Sequence, residues 1–164
     1  MDRFIIWLAS GFYSGYFPLA PGTAGTIVGI LVYFLFSSFP ASIYLLSLAA
    51  VFFLTWWASE RAEVIFARRD DPRIVIDEVV GYLITMVLLP CTLTTVIGGF
   101  LFFRIFDIIK IPPAGFIERR ISGGLAVVLD DAVAGIYANL LLHAITHWRP
   151  HLLFIVDRWF FGTV

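Results

Sequence analysis

Five carboxylates in this chain stand where carboxylates are expensive. Asp77-Glu78 leads straight into Val79-Val80-Gly81, and Asp130-Asp131 lies deep inside an apolar stretch. Asp107 sits between Arg104 and Lys110 in Phe103-Arg104-Ile105-Phe106-Asp107-Ile108-Ile109-Lys110. Ionised groups in apolar surroundings carry a large desolvation cost, and neighbouring carboxylates in a dry site cannot both stay charged unaided. A divalent cation removes that conflict, since hard cations take oxygen ligands. Arg104, Asp107 and Lys110 follow at i, i+3 and i+6, so neighbouring pairs share a helix face. One carboxylate between two cations suits a metal ligand flanked by groups that hold phosphate oxygens. Upstream, Ala20-Pro21-Gly22-Thr23-Ala24-Gly25-Thr26 precedes an apolar run. Its glycines admit close backbone approach, Thr23 or Thr26 can cap the helix that follows, and a helix N-terminus binds anions. Plainer readings stand beside each: a turn with a cap, a helix-start acid pair favoured by the macrodipole, a salt-bridged surface stripe, and a proton relay.

The inventory suits metal-assisted phosphoryl chemistry by an activated water. It suits acyl transfer poorly, for the chain offers no Ser/His/Asp grouping. Its single cysteine, Cys91, falls in an uncharged turn and excludes an internal disulfide or a thiolate zinc cluster. His143, His147 and His151 recur every four residues, but Pro150 interrupts them and histidines are common at helix C-termini. The rival from another class is a small non-enzymatic subunit of an intramembrane proton or ion pathway, which would use the same acids. Arg104, Lys110 and the Pro-Gly-Thr loop separate the two, because a proton relay has no use for an anion-binding set.

The elements that must carry these residues are apolar all round. Of 164 residues, 60% are hydrophobic and only 14% charged, against about 25% charged in a soluble domain. Residues 4–59 and 79–103 contain no charge at all. A water-soluble domain of this size could not hide so much apolar surface, so the composition predicts one integral membrane domain. Five apolar stretches, 4–9, 26–39, 43–58, 79–103 and 124–145, read as helices rather than strands, because they do not alternate. Several are short for a hydrocarbon core of about 30 Å, and Pro90-Cys91-Thr92 breaks the fourth. Arg61, Arg68, Arg69 and Arg73 fall in one polar segment and Arg104, Lys110, Arg119 and Arg120 in the next. The positive-inside bias puts both in the cytoplasm. Hairpins turning at Ser37-Ser38-Phe39-Pro40 and at Pro90–Thr95 would then gather every charged segment at one face. Trp56-Trp57 and Trp148 read as interfacial anchors. A net charge of −1 without a basic stripe argues against a nucleic-acid partner.

In order along the chain, Ala20-Pro21-Gly22-Thr23-x-Gly25-Thr26, Ile74-Val75-x-Asp77-Glu78-x-x-Gly81, Phe103-Arg104-x-x-Asp107-x-x-Lys110 and Gly123-Gly124 with Asp130-Asp131-x-x-Ala134-Gly135 resemble the motif set of the phosphatidylglycerophosphatase A family. The resemblance runs from Gly11 to about Pro150. It implies a Mg²⁺-dependent bacterial phosphatase of the inner membrane, acting at the cytoplasmic face and converting phosphatidylglycerophosphate to phosphatidylglycerol. It also implies a single all-α domain over 1–164, a compact bundle of short or hairpin helices with one central helix surrounded by others. On this resemblance, Asp77, Glu78, Asp107, Asp130 and Asp131 are the catalytic and metal-holding residues. Gly22, Thr23, Arg104 and Lys110 hold the substrate phosphate. A further family acid falls on Asp70 or Asp71, because the segment is one residue shorter than the family pattern.

Overall fold

The structure is a computed structural model that describes residues 2–113, 120–121 and 123–148. Arg119, Pro150 and His151 lie outside them. Every element among the described residues is helical: α1 (Asp2–Ala9), a 3₁₀ turn (Ser14–Tyr16), α2 (Pro21–Phe36), α3 (Ala41–Phe66), α4 (Ile76–Thr85), α5 (Leu93–Ile109) and α6 (Gly124–Trp148). Two of them, α3 and α6, are long and apolar enough to cross a membrane. They sit differently, α3 mostly exposed and α6 more than half buried.

The central helix is the short α4. Eight of its ten residues are buried, and α2, α3, α5 and α6 all pack on it. Around it, Tyr33, Tyr44, Tyr82, Leu83, Met86 and Phe103 form the main core. Such a helix ends inside apolar surroundings, where its last carbonyls must find donors. Its neighbours supply them. Tyr44 Oη donates to the Leu83 carbonyl at 2.7 Å, and Asn139 Nδ2 donates to the Thr85 and Val87 carbonyls at 2.9 Å each. The His143 ring also bonds the Val87 carbonyl, at 3.1 Å, so this histidine ties α6 to the turn after α4. Close approach of α4 and α6 needs glycine, because a Cβ on Gly135 would meet the Gly81 carbonyl and one on Gly81 would meet the Phe103 ring.

Several boundaries differ from those the apolar runs suggest. Helix α3 does not stop at residue 58 but continues through Glu60, Arg61 and Glu63 to Phe66. At 26 residues it is about 39 Å long, so its charged last turns project beyond an apolar core. Helix α2 begins at Pro21 rather than near Thr26, using a proline at the first position, where its missing N–H costs nothing. Neither threonine caps it: Ala20 is the N-cap, with no side-chain bond, and buried Thr26 instead donates to the Gly22 carbonyl at 2.9 Å. The fourth apolar run is broken over 86–92, a wider gap than the Pro90-Cys91-Thr92 turn, and Thr92 then caps α5 through a reciprocal bond with Thr95.

The two uncharged turns meet at one end of the bundle, where Ser37 and Phe39 face Met86 and Leu89 across a small cavity. The charged segments gather at the other end. There α1 packs Ile5 and Ala9 against Ala58 and Ala62 of α3 and against Ile74 and Ile76. Around this end Phe4, Trp7, Phe12, Tyr13, Tyr16, Phe17 and Leu19 are exposed, a collar of the kind found at membrane–water interfaces.

Candidate active site

The site is assembled from the starts of α2, α4 and α6 and the end of α5, together with the 67–75 connection. Hydrogen bonding sets the register of that connection: the Val75 N–H donates to the Ala9 carbonyl at 2.9 Å. This places Asp77 and Glu78 in the first turn of α4, where the helix dipole favours negative charge. Asp130 and Asp131 lie two turns into α6, both buried, and Asp107 occupies the last turn of α5.

These five acids form two overlapping groups. Asp77, Glu78 and Asp131 bring one oxygen each within 4.8 Å of one another, and Asp107, Asp130 and Asp131 do the same. Asp131 belongs to both. Three helices therefore contribute to one continuous bank of carboxylate oxygens. The cations are threaded through it. Arg104 Nη1 lies 2.7 Å from Asp107 Oδ2 and 4.0 Å from Glu78 Oε1, and Lys110 Nζ lies 2.9 Å from Asp130 Oδ2. The bank opens into a cavity of about 730 Å³. Eight of the nine candidate residues line it, and Thr23 does not.

Gly22 owes its place to size. A Cβ there would stand 2.5 Å from Glu78 Oε1 and 3.0 Å from Arg104 Nη1, so glycine lets the first turn of α2 press on this pair without displacing the two side-chain ends. The first intrahelical bond of α2 runs from the Ala24 N–H to the Ala20 carbonyl at 3.1 Å. The Gly22 and Thr23 amides precede it, as the unpaired donors of a helix start.

The donor set fits a divalent cation of the Mg²⁺ type. Buried oxygens of Asp77 (Oδ1), Glu78 (Oε2) and Asp131 (Oδ2) find no hydrogen-bond donor among the described residues. Orphaned carboxylate oxygens converging in a buried cluster are costly unless a cation meets them, and an all-oxygen set is what Mg²⁺ prefers.

The structure also separates the two aspartates that the sequence leaves ambiguous. Asp70 lines the cavity, held in a left-handed turn (φ 46°) with its N–H donating to Glu63 Oε1 at 2.8 Å. Asp71 is turned inward and clasped by Arg73. Nε donates to Oδ1 at 2.7 Å, Nη2 to Oδ2 at 2.9 Å, and the Arg73 N–H to Oδ1 at 3.0 Å. This fork holds the Asp71 carboxyl below the usual carboxylate range. Arg73 itself lies over the Phe66 ring at 3.9 Å and near Tyr16 at 5.9 Å, so the pair locks the connection to α3. Three further cavity residues, Glu63, Arg68 and Arg69, escape sequence reasoning, which reads the arginines only as a sign of topology. The available signal is the run Arg68-Arg69-Asp70-Asp71 beside an apolar helix.

Carboxylates in an all-oxygen cluster, met by a guanidinium and an ammonium in one cavity, give this all-helical scaffold a site whose chemistry suits a phosphorylated ligand. The comparisons with known proteins agree. The family model for phosphatidylglycerophosphatase A matches residues 7–146. The phosphatidylglycerophosphatase A of Haemophilus influenzae is 34% identical over 146 residues, 86% of this chain and 88% of that protein. That of Escherichia coli is 33% identical over 144 residues, 87% and 84% of the two chains. A Bacteroides thetaiotaomicron protein provisionally named phosphatidylinositol-3-phosphatase is 36% identical over 153 residues, 87% of this chain and 93% of its own. No solved structure matches the chain significantly. The chain belongs to the phosphatidylglycerophosphatase A family.

Proposed function

We propose that this protein hydrolyses the terminal phosphomonoester of phosphatidylglycerophosphate, releasing phosphatidylglycerol and phosphate, at a Mg²⁺-dependent site on the cytoplasmic side of a bacterial inner membrane. The observation that carries the reading is the pair of carboxylate groups sharing Asp131 beside Arg104 and Lys110. Asp77, Glu78, Asp107, Asp130 and Asp131 would hold one or two cations. A bound Mg²⁺ supplies Lewis acidity toward a water and toward phosphoryl oxygens. The protein's own groups do the rest. Arg104 would present a planar fork to the non-bridging oxygens and Lys110 a point charge. The Gly22 amide, at the start of α2 where that helix lines the cavity, would add a dipole favouring negative charge, whereas Thr23 does not line the cavity. The ion pairs of Arg104 and Lys110 with acids of the cluster hold both cations at the site in advance. An anion-binding pair so placed favours phosphate chemistry over a proton or ion pathway, where it would have no task.

The membrane setting rests on α3 and α6 and on the collar of exposed aromatic residues. Its orientation rests on Arg61, Arg68, Arg69, Arg73, Arg104 and Lys110, all carried by the segments at the cavity end. The test is phosphate release from phosphatidylglycerophosphate by the purified protein in detergent, with Mg²⁺ and with a chelator. Release that needs Mg²⁺ is expected, and no release with Mg²⁺ present would overturn the reading.

A further inference from the structure

The cavity holds a second pair of cations that the phosphomonoester does not need. Arg68 and Arg69 stand on the connection after α3, whereas Arg104 and Lys110 belong to the end of α5. Helix α3 packs on α1, α4 and α6, and α5 on α2, α4 and α6, so the two pairs reach the cavity from different walls. Glu60 and Glu63, which line the cavities that Arg68 and Arg69 reach, are already committed to backbone donors, and Asp71 is committed to Arg73. Glu60 Oε2 accepts the Gly124 N–H at 2.7 Å and Glu63 Oε1 accepts the Asp70 N–H at 2.8 Å. Neither arginine enters an ion pair among the described residues, unlike Arg73 close by.

These arginines also stand at a junction. A side cavity of about 350 Å³ shares Glu63, Arg68, Arg69 and Gly123 with the acidic cavity. It shares Glu60 and Val64 in turn with an open groove of about 740 Å³ along α3, lined also by Phe53, Trp56, Trp57, Arg61 and Leu125. One trough therefore runs from a largely aromatic wall that also carries Arg61, past the Arg68 and Arg69 guanidinium groups, to the carboxylate bank. Its order of chemistry, apolar then cationic then acidic with cations, matches one kind of molecule. That molecule is a phospholipid whose acyl chains, bridging phosphodiester and terminal phosphomonoester follow in the same sequence.

The geometry points to Arg68 and Arg69 as the site for the bridging phosphodiester, with the α3 groove as the track for the lipid chains. The assignment rests on the lipid-phosphatase reading and adds to it a second anion subsite, for the phosphodiester. A lipid with a monoester alone leaves the arginine pair without a ligand. Guanidinium forks suit an anionic diester that must be held without being attacked.

The test separates the two anion sites by binding the two halves of the product. Affinities of the detergent-solubilised protein for short-chain phosphatidylglycerol and for inorganic phosphate are measured with Mg²⁺ present, for the parent and for Arg68→Ala/Arg69→Ala. Both side chains are exposed, so the double variant is expected to fold with an unchanged melting temperature. Affinity for phosphatidylglycerol should fall at least about tenfold, and affinity for phosphate by less than about twofold. Equal losses for both ligands would mean general attraction of anions and overturn the assignment. No loss for phosphatidylglycerol, or no binding of it by the parent, would overturn it too. Absence of phosphate release from phosphatidylglycerophosphate is a separate result and removes the reading beneath.

Discussion

Asp131 is the residue on which both carboxylate groups depend, since each includes one of its oxygens. Asp131→Asn should lower kcat at least about 10²-fold, because groups that act as a unit fail together. In chelator the same variant should melt no lower than the parent, for a crowded acidic cluster is relieved by losing a charge. Full activity, or unfolding in chelator, would make this acid structural. Arg104→Ala should both lower kcat and raise KM, as its fork serves bound phosphate and transition state alike. Asp71 belongs to a different category. Its carboxyl is held low by Arg73, so its contribution is full above the unfolded value of about 3.9 and is lost as pH falls through the lower folded value. Asp71→Asn should therefore cost about 1–2 kcal/mol at neutral pH, and the gap between the two melting curves should close in acid. A gap independent of pH would show that the ion pair is not its source. The catalytic candidates are legible in the sequence because a carboxylate in apolar context has few reasons to exist. Asp70 and Asp71 are not, because what separates them is the direction each side chain takes, which is set by a left-handed turn and by Arg73 two residues on.

At the scale of elements, the site exists because α4 and α6 approach closely enough for Asp77, Glu78 and Asp131 to converge. The contact depends on Gly81 and Gly135. Gly81→Ala would drive a methyl into the Phe103 ring and to 2.9 Å from the Asp131 carbonyl. Overpacking of this kind costs about 1–3 kcal/mol, and here it also pushes apart two helices that carry site carboxylates, so activity should fall more than stability. Gly98→Ala is the comparison. Its methyl meets only the flexible end of Leu142, at 3.2 Å, and alanine is the better helix former by about 1 kcal/mol. Thermal melts and phosphate release on the two variants check this, and equal behaviour would refute the close-packing account. Helix positions could be read from the apolar runs, but helix ends could not. Charged Glu60, Arg61 and Glu63 look like a loop in the sequence, yet the backbone stays helical through them because the helix extends past the apolar layer into polar surroundings. The early end of α4 is equally hidden, since the donors that permit it, Tyr44 and Asn139, come from distant parts of the chain.

Among the described residues, the Asp, Glu, Lys and Arg side chains gather at one end of the molecule, and Cys91 marks the other. Cys91 is exposed in the 86–92 turn. In sealed right-side-out vesicles, a membrane-impermeant maleimide should label Cys91 from outside while phosphate release requires access to the inside. Labelling only after permeabilisation would invert the proposed orientation. The polarity is legible in the sequence, as charges cluster in segments separated by uncharged hairpins. The trough along α3 is not, because it arises from residues of α3, the 67–75 connection and α6 that meet only in the fold. The unequal heights of the helices have a last consequence. The uncharged part of α3, residues 41–59, is about 28 Å long and near the hydrocarbon thickness, whereas α2, at 16 residues, and α5, at 17, are about 24 and 26 Å over their whole lengths. In the proposed membrane setting, a bilayer meeting such a bundle would be pinched on the flank of α2 and α5, at a cost of fractions of a kcal/mol per Å. On the pinched flank the leaflet dips, bringing lipid headgroups down toward the depth of the carboxylates. On that reading, deformation of the surrounding lipid would perform part of the approach of substrate to site, without any moving part in the protein.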